Sequence, residues 1–542
     1  MPLFKQIKAR KFLSFSTMAG IFVLLTIGFF YANGLGQIFQ LAGDYQGAQW
    51  WADSYILHVI QFSFMQALLS ASLSVGLGLV VARAFFYQNF PAKHFLLKII
   101  SLTFVLPVLV AIFGLMGVYG NSGWLAKLLA YFNVSWQDKI YGLSGILIAH
   151  LFFNIPLATR LFVQALQAIP NQQRQLAAQL NLRGWHFVRW VEWHYLRQQL
   201  LPAFSLIFML CFTSFTVVLT LGGGPQYSTL EAAIYQAIMF DFELPKAAML
   251  AILQLAFCVS LFMLSNLIHK PLISSQNQQN PWRAKQSLGK KLFQIGVLFC
   301  FSLFVLLPLL NALLSALFAE NLWQTLQQAS LWRAFGFSLA MAICSGVVAL
   351  TMALALLLFA RQFQVLDSEQ NRLAQWISNA GMMVLAIPTI VLAIGLFLAL
   401  RAFEVSSLLL FGVVTFCNAL AAMPFVLRIL AVPLQLNQQR YHKLCQSLGI
   451  QGWARFRLIE WANLREPMQY AFALAAALSL GDFTAIALFG SQGFTSLPYL
   501  LYQQLGNYRS SQAAVTAGIL LLLCLALFGL IENQKEKNDS FN

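Results

Sequence analysis

Long apolar runs separated by short polar stretches recur along the whole chain. A helix needs about 20 residues to cross the hydrocarbon core of a bilayer. On that basis the pattern predicts an all-α, polytopic membrane protein with twelve transmembrane spans. The predicted spans are residues 15–36, 57–85, 95–118, 140–165, 203–222, 247–269, 291–317, 334–360, 377–401, 407–431, 468–490 and 513–532.

The composition agrees with a lipid environment. The chain is 59% hydrophobic and 9% charged, whereas ordinary soluble domains carry about 25% charged residues. The first apolar run is long for a signal peptide and lacks a small-x-small cleavage site, so we expect a retained first span. The seven cysteines show no paired spacing, which predicts neither a disulfide framework nor a metal site.

The net charge of +16 is explained by membrane orientation. Basic residues in membrane chains concentrate in cytoplasmic segments. With the N-terminus in the cytoplasm, inner segments and span ends hold all but six of the 33 Lys and Arg residues, so we predict that both termini are cytoplasmic. No nucleic-acid partner is needed to account for the charge. The six exceptions are Lys127, Lys139, Lys246, Arg333, Arg401 and Arg509.

One basic and aromatic stretch occurs twice. QLAAQLNLRGWHFVRWVEWHYLRQQL begins at Gln175, and KLCQSLGIQGWARFRLIEWANLREPM begins at Lys443. At an offset of 268, nine of the 22 positions from Leu176 to Arg197 are identical, against one or two expected from average residue usage. The same offset aligns Pro156 with Pro424, Arg160 with Arg428, and Phe215-Thr216 with Phe483-Thr484.

The repeat predicts two tandem halves. We assign residues 1–270 to a first half, 271–291 to a polar cytoplasmic linker, and 292–542 to a second half. The repeated segments, residues 174–198 and 442–466, each lie on the cytoplasmic side between the fourth and fifth spans of their half. Because six spans separate the two copies, the repeat is parallel.

Each repeated segment predicts a short helix, a turn and an amphipathic helix. The turn falls at Asn181 or Gly449, since both residue types tolerate a left-handed backbone. Helical spacing places Arg189 within reach of Glu192, and Arg457 within reach of Glu460. The residues predicted to share one helix face are Trp185, Arg189, Glu192, Trp193 and Leu196.

Two interpretations of the repeated segments are open. They are interfacial helices that lie among lipid headgroups, or they are docking elements for a partner with twofold symmetry. A surface anchor should show a strong Lys/Arg face opposite an apolar face, and it has no reason to recur at the same place in both halves. Docking therefore explains the duplication better.

The segments resemble the cytoplasmic coupling motif of ABC importer permeases, which runs Glu-Ala-Ala, three residues, Gly, and a basic-aromatic helix ending near Leu-Pro. The corresponding positions here are Gln175 and Lys443 for Glu, Ala177 and Cys445 for the second Ala, Asn181 and Gly449 for Gly, and Trp193-His194 and Trp461-Ala462 at the end. The resemblance implies two six-helix type I importer halves and two copies of a cytoplasmic ABC ATPase. The coupling residues it implies are Ala177, Leu180, Asn181, Gly184, Trp185, Arg189, Glu192, Trp193, Leu448, Gly449, Gly452, Trp453, Arg457, Glu460 and Trp461.

A narrower resemblance covers nearly the whole chain. LPVLVAIFGLMGVYG, FNIPLATRLFVQAL, LGGGPQYSTLEAAIYQA, LSLGDFTAIALFG and YLLYQQLG are similar to segments of the thiamine permeases of Gram-negative bacteria. That resemblance implies a multi-pass inner-membrane protein that moves thiamine or its phosphates from a periplasmic binding protein to the cytoplasm. The related ferric-iron permeases share the fused twelve-span plan, which makes ferric iron the alternative substrate.

The sequence carries no nucleotide-binding motif of its own. A P-loop requires G-x-x-x-x-G-K-[ST], and Gly289-Lys290-Lys291 lacks both the upstream Gly and the hydroxyl residue. We therefore expect a permease that is not itself an enzyme, with ATP and Mg²⁺ bound by the partner ATPase. An ion-coupled carrier is the competing class, but it needs buried ionisable groups. Of the 17 acidic residues only Asp482 lies well inside an apolar run.

Five residues within the spans are candidates for the substrate path. Asp482 corresponds to Ser214 in the first half. A buried carboxylate requires a partner, so Asp482 either pairs with a protein donor at a broken helix or meets a cationic substrate, with Phe483 available for stacking. His150 and Asn418 also align across the repeat, although polar groups there often join helices together.

Overall fold

The computed structural model describes residues 15–45, 53–91, 93–134, 140–182, 184–268, 287–362, 387–401, 403, 406–450, 452–490 and 494–539. Within these ranges, eleven helices are long and apolar enough to cross a membrane, and they overlap eleven of the twelve predicted spans. The predicted ninth span, 377–401, lies partly outside the described residues. Its described part contains the shorter apolar helix Thr389–Leu400.

Among the residues that the structure describes, twelve helices precede the linker. They are α1 (Phe15–Gly43), α2 (Ser54–Tyr87), α3 (Lys93–Thr103), α4 (Val108–Tyr119), α5 (Trp124–Tyr131), α6 (Leu143–Gln167), α7 (Asn171–Gln179), α8 (Trp185–Phe187), α9 (Trp193–Phe212), α10 (Phe215–Leu221), α11 (Leu230–Met239) and α12 (Leu244–Ile268). A π-helical turn, Val188–Glu192, joins α8 to α9, and a 3₁₀ turn, Pro225–Tyr227, precedes α11.

In the described part of the chain after the linker there are ten helices. They are α13 (Leu288–Leu317), α14 (Leu322–Leu326), α15 (Ala329–Arg361), α16 (Thr389–Leu400), α17 (Ser407–Ser447), α18 (Gly452–Arg455), α19 (Trp461–Gly481), α20 (Thr484–Phe489), α21 (Leu497–Gly506) and α22 (Ser510–Asp539). A second π-helical turn, Phe456–Glu460, joins α18 to α19. The two π-turns therefore occupy equivalent places in the repeat.

The helices pack into two compact units that do not follow the two halves of the sequence repeat. The N-unit consists of Gly47–Gln236 and Ala256–Ala319. The C-unit consists of Met1–Gln46, Ala237–Leu255 and Glu320–Asn542. Helix α1 thus packs with second-half helices, and α13 packs with first-half helices. Each unit takes its first span from the other half of the chain.

A glycine in each unit allows the exchanged helix to approach closely. In the N-unit a Cβ on Gly114 of α4 would lie 2.8 Å from the carbonyl carbon of Pro308 on α13. In the C-unit a Cβ on Gly395 of α16 would lie 2.6 Å from the Cα of Gly34 on α1. Small residues permit such backbone contact between membrane helices. The same crossing therefore recurs in both units.

Within the described residues, three predicted spans are broken rather than continuous. The third is interrupted between Thr103 and Val108, where Pro107 lacks a backbone N–H and restricts the residue before it. The fifth is interrupted at Thr213 and Ser214, between α9 and α10. In the eleventh, α19 ends at Gly481 and α20 begins at Thr484, so the broken helix considered for Gly481 and Asp482 is confirmed.

The two copies of the predicted short helix differ. In the first copy α6 ends at Gln167, and α7 begins after Pro170 as a separate helix. In the second copy the prediction of a separate short helix is wrong, because α17 continues for 41 residues to Ser447. The position equivalent to Pro170 is Gln438, which keeps its backbone donor and lets the helix continue.

Replacing Gly395 or Gly114 by Ala tests the exchanged packing. We expect each substitution to lower stability by about 1–3 kcal/mol, because the added methyl group overlaps backbone that has nowhere to move. The control is Gly336→Ala in α15, where a Cβ would meet nothing within 4 Å. Thermal unfolding of the detergent-purified variants measures the effect. Equal stability of Gly395→Ala and Gly336→Ala would contradict the packing described.

Candidate functional site

The first repeated segment turns sharply after α7. Asn181 has φ +52°, and the Leu182 amide donates to the Ala177 carbonyl at 2.9 Å. This bond closes the C-terminus of the helix with a left-handed residue, as helix caps commonly do. Ala177 is buried under the turn, whereas Leu180 is exposed. The predicted left-handed turn at Asn181 is confirmed.

The second repeated segment closes in the same way. Gly449 has φ +65°, and the Ile450 amide donates to the Cys445 carbonyl at 2.9 Å. Cys445 is buried like Ala177, and Leu448 is exposed like Leu180. Asn181 in the first copy and Gly449 in the second therefore perform the same backbone role. The departure from Gly in the first copy leaves the turn intact.

A second left-handed residue in each copy sets the start of the amphipathic helix. Gly184 has φ +63° and Gly452 has φ +58°. A Cβ on Gly184 would also lie 3.3 Å from Lys290 Nζ. Because a side chain is strained in this backbone region, glycine at both positions has a local cause. Both glycines are identical positions of the sequence repeat, and their backbone angles explain why glycine is needed there.

The π-turns split the predicted helix face in two. The Trp193 amide donates to the Val188 carbonyl, and the Trp461 amide donates to the Phe456 carbonyl. A bond to the fifth residue along adds one residue to the turn and changes which side chains share a face. Trp185, Arg189 and Trp193 are exposed, whereas Glu192 and Leu196 are buried. The prediction of one common face is wrong for that reason.

Glu192 does not pair with Arg189 as predicted. Its side chain is 0% exposed and reaches the end of α2, where Arg83 Nε lies 3.0 Å from Glu192 Oε2. The Tyr87 hydroxyl donates to Glu192 Oε1. Arg189 instead lies with its guanidinium 5.6 Å from the centroid of the Trp190 ring, within the range of a cation–π contact.

Glu460 repeats this arrangement with different partners, so the predicted pair with Arg457 is also wrong. Arg361, at the end of α15, donates to Glu460 Oε1, and Arg455 Nε lies 2.9 Å from the same oxygen. The Glu460 side chain is 1% exposed. Both repeated segments therefore place a buried carboxylate against the end of the second span of their half.

The positions of Arg83 and Arg361 in the sequence could have indicated that they need partners, although helical spacing within the repeated segments could not. Arg83 lies near the end of the second predicted span and Arg361 just beyond the eighth, where they were counted only as orientation charges. A basic side chain in such a place needs a partner or water. Arg174, at the start of the first repeated segment, is a buried cation, 1% exposed. Its guanidinium lies 4.5 Å from the Phe86 ring centroid, and its Nη2 donates to the Leu166 carbonyl.

Each repeated segment also exposes several large apolar side chains. Trp185 is 71% exposed and Trp461 is 49% exposed. Trp190, which the sequence comparison did not select, is 66% exposed. The side chain of Trp453 lies outside the described residues. The other exposed large apolar residues of the two segments are Leu176, Leu180, Trp193, Leu444, Leu448 and Leu458.

Polar residues inside the N-unit meet around His150. Its Nδ1 lies 2.9 Å from Ser70 Oγ, and its Nε2 lies 2.9 Å from Ser214 Oγ. His150 and Ser214 were both path candidates, and the structure brings them together. Ser70 was missed, because a lone serine on an apolar helix carries no sequence signal.

The C-unit arranges its equivalents differently. Asn418 Nδ2 donates to Ser479 Oγ at 3.0 Å and contacts Met341 Sδ at 3.4 Å. Asp482 Oδ1 accepts from the Thr484 amide at 3.3 Å, so this carboxylate does pair with the start of α20. Among the described residues its Oδ2 is enclosed without a hydrogen-bond partner.

Aromatic packing around Phe483 distinguishes the two units. The Phe483 and Tyr502 ring centroids are 4.9 Å apart. In the N-unit the rings of Phe215 and Tyr235, which match Phe483 at the offset of 268 and Tyr502 at an offset of 267, are 5.3 Å apart. The C-unit adds Tyr499, whose ring centroid lies 6.3 Å from that of Phe483. Phe483 itself is buried.

The fold and the paired segments define a polytopic transport permease with two homologous halves. The chain belongs to the family of binding-protein-dependent transport system inner membrane components, which it matches over residues 74–273 and 368–533. One match falls in each half. The predicted fused permease, crossing the inner membrane many times, is confirmed.

Individual relatives extend the similarity over almost the entire chain. The thiamine transport system permease protein of Haemophilus influenzae is 59% identical over 96% of this chain and 96% of its own length. The Escherichia coli protein of the same description is 46% identical over 90% of this chain and 91% of its own length. That of Brucella abortus is 40% identical over 88% and 87%, respectively. The predicted resemblance to thiamine permeases is confirmed.

Replacing Gly449 tests the left-handed turn. We expect Gly449→Ala to speed hydrogen exchange of the Ile450 amide about tenfold, because an alanine pays for the left-handed conformation that glycine adopts freely. Gly449→Asn should change exchange much less, since Asn181 already occupies the same conformation in the first copy. Mass-spectrometric hydrogen exchange provides the measurement. Equal effects of Ala and Asn would show that the backbone angle is not the constraint.

Proposed function

We propose that this chain is the membrane-spanning permease of an ABC importer that passes thiamine or its phosphates from periplasm to cytoplasm. The main support is the similarity to thiamine transport system permease proteins, which covers 96% of the chain in one relative. A periplasmic binding protein delivers the substrate to the outer face. The distribution of Lys and Arg supports an orientation with both termini and both repeated segments in the cytoplasm.

Two copies of a separate ABC ATPase subunit supply the energy in this proposal, one at each repeated segment. The observation that carries it is a set of features that the two segments share. Each has a left-handed cap, a second left-handed glycine, a π-turn and exposed large apolar side chains. Such exposed clusters are typical of protein interaction sites. ATP and Mg²⁺ bind to the ATPase subunits and not to this chain.

Asp482 is the proposed contact for a positively charged substrate. Two substitutions relative to the first half support this role. Asp482 stands in place of Ser214 at the offset of 268, and Tyr499 stands in place of Ala232 where an offset of 267 aligns Tyr235-Gln236 with Tyr502-Gln503. A carboxylate and an additional aromatic ring suit the thiazolium ring of thiamine, which is flat and positively charged. Phe483 supports Tyr499 by packing against it. Ser214, His150 and Asn418 remain candidates for lining the path.

Uptake by a strain lacking this chain tests the substrate and the energy source together. Expression of the chain with its ATPase and binding protein should restore uptake of labelled thiamine, and the ATPase should co-purify with the chain. Restored uptake of ferric iron without thiamine would overturn the substrate. Thiamine uptake with no ATPase bound would instead indicate an ion-coupled carrier.

The docking role predicts a phenotype for the second segment. Gly449→Pro combined with Trp461→Ala should abolish transport and uncouple ATP hydrolysis, because the turn is lost together with an exposed anchor. The protein should remain inserted in the membrane. Membrane fractionation, ATPase activity and uptake are measured on the same preparation, and normal transport would count decisively against docking.

The substrate role predicts a separate phenotype for Asp482. Asp482→Asn should weaken thiamine uptake about tenfold, because a neutral amide loses the charge attraction to the cation. Assembly with the ATPase should be unaffected. Asp241→Asn, which changes an exposed carboxylate, is the matched control. Unchanged uptake by Asp482→Asn would assign this residue to helix capping alone.

A further inference from the structure

Each buried carboxylate of the repeated segments holds a helix end that has a second attachment. In the N-unit, Arg83 and Tyr87 at the end of α2 hold Glu192. The next residue, Gln88, donates through Nε2 to Gln294 Oε1 of α13 at 2.6 Å. A continuous chain of contacts therefore runs from the first repeated segment through the end of α2 to α13.

The C-unit contains the same chain of contacts with different residues. Arg361 at the end of α15 holds Glu460. The next residue, Gln362, accepts a hydrogen bond through Oε1 from Thr17 Oγ1 of α1 at 2.7 Å. A Cβ on Gly20 of α1 would lie 2.6 Å from Phe359 Cγ of α15, so the two helices are also in tight contact there.

These chains of contacts end on the exchanged helices. Helix α13 belongs to the second half of the sequence but packs in the N-unit, and α1 belongs to the first half but packs in the C-unit. A displacement of either repeated segment that is passed along these contacts consequently reaches a helix of the opposite half.

We infer that Glu192 and Glu460 are positioning residues that transmit movement of each repeated segment to the second span of its own half and to the first span of the other. The inference rests on the proposed function, since it assumes an ATPase that moves the segments. It concerns neither the docking surface nor the substrate contacts.

Burial makes these two contacts suited to transmitting movement. A fully buried carboxylate separated from its cation is left without water, so the pair resists separation. In the exposed Glu243–Lys246 pair, 56% of the Glu243 side chain is accessible. Water can replace Lys246 at this carboxylate with little loss of free energy. Movement of a π-turn is therefore carried to α2 or α15 and not lost in a broken contact.

The repetition also favours transmission over simple anchoring. The carboxylate is Glu in both copies and is the last residue of a π-turn in both, while its partners differ between Arg83 with Tyr87 and Arg361 with Arg455. π-Turns within α-helices occur frequently at functional sites. The two copies share one contact, between the buried carboxylate of the repeated segment and an arginine at the end of the second span of that half.

Proteoliposomes containing the chain, its ATPase and its binding protein provide the test. The measured quantity is labelled thiamine transported per ATP hydrolysed. We expect Glu192→Gln, Glu460→Gln and the milder Tyr87→Phe to lower this ratio, the first two about tenfold, while the ATPase still co-purifies. Glu243→Gln, which removes an exposed ion pair, should leave the ratio unchanged.

The double variant Tyr87→Phe, Glu192→Gln separates transmission from a structural role. If both residues act through one contact, the double variant should transport no less per ATP than Glu192→Gln alone. Three results would each overturn the inference. Transport and ATP hydrolysis could fall in proportion, the ratio could be unchanged in Tyr87→Phe, or the Glu→Gln variants could be lost from the membrane. Absence of ATPase from the unaltered chain would instead overturn the proposed function on which it rests.

Discussion

Lipid offers no hydrogen bonds to the polypeptide backbone, so every interruption of a membrane helix must be satisfied by the protein itself. The described residues show how this chain meets the requirement. Ser63 of α2 accepts from the Leu230 amide at the start of α11, and Ser338 of α15 accepts from the Leu497 amide at the start of α21. The second span of each half thus supplies both an acceptor for the backbone amide at the start of a short helix and the cation that contacts the buried carboxylate of the repeated segment. Helices α2 and α15 therefore position both a short helix and the repeated segment of their own half.

Features with a local cause could be predicted from the sequence. The lengths of the apolar runs predicted the spans, and a fixed offset between similar segments predicted the repeat. The tolerance of Asn181 and Gly449 for a left-handed backbone predicted the turns. Pro107 and Pro170 carried further local signals that explain a broken span and a separate α7. The partners of Glu192 could not be predicted in this way. Arg83 lies more than a hundred residues away, and a π-turn changes the helical phase on which the local pairing depended.

A sequence repeat orders the helices along the chain but does not determine which copy each helix packs against. The exchange of α1 and α13 depends on close backbone contacts at Gly395 and Gly114, and nothing in the periodicity of an apolar span reveals its neighbour. Either half expressed alone would lack the first helix of its unit and expose the glycine surface that receives it. The covalent fusion of the halves therefore keeps complementary helices together within one molecule.

The fourth spans of the two halves are connected to their repeated segments in different ways. Helix α17 runs for 41 residues without a break, about 60 Å at 1.5 Å per residue, which is roughly twice the thickness of the hydrocarbon core. Pro424 and Pro433 lie inside this helix, and each removes a backbone hydrogen bond at a point where a helix can kink. In the first half, a short non-helical connection ending at Pro170 separates α6 from α7. The second repeated segment therefore continues directly from a membrane-spanning helix, whereas the first is set off from its span by a break in the backbone hydrogen bonding.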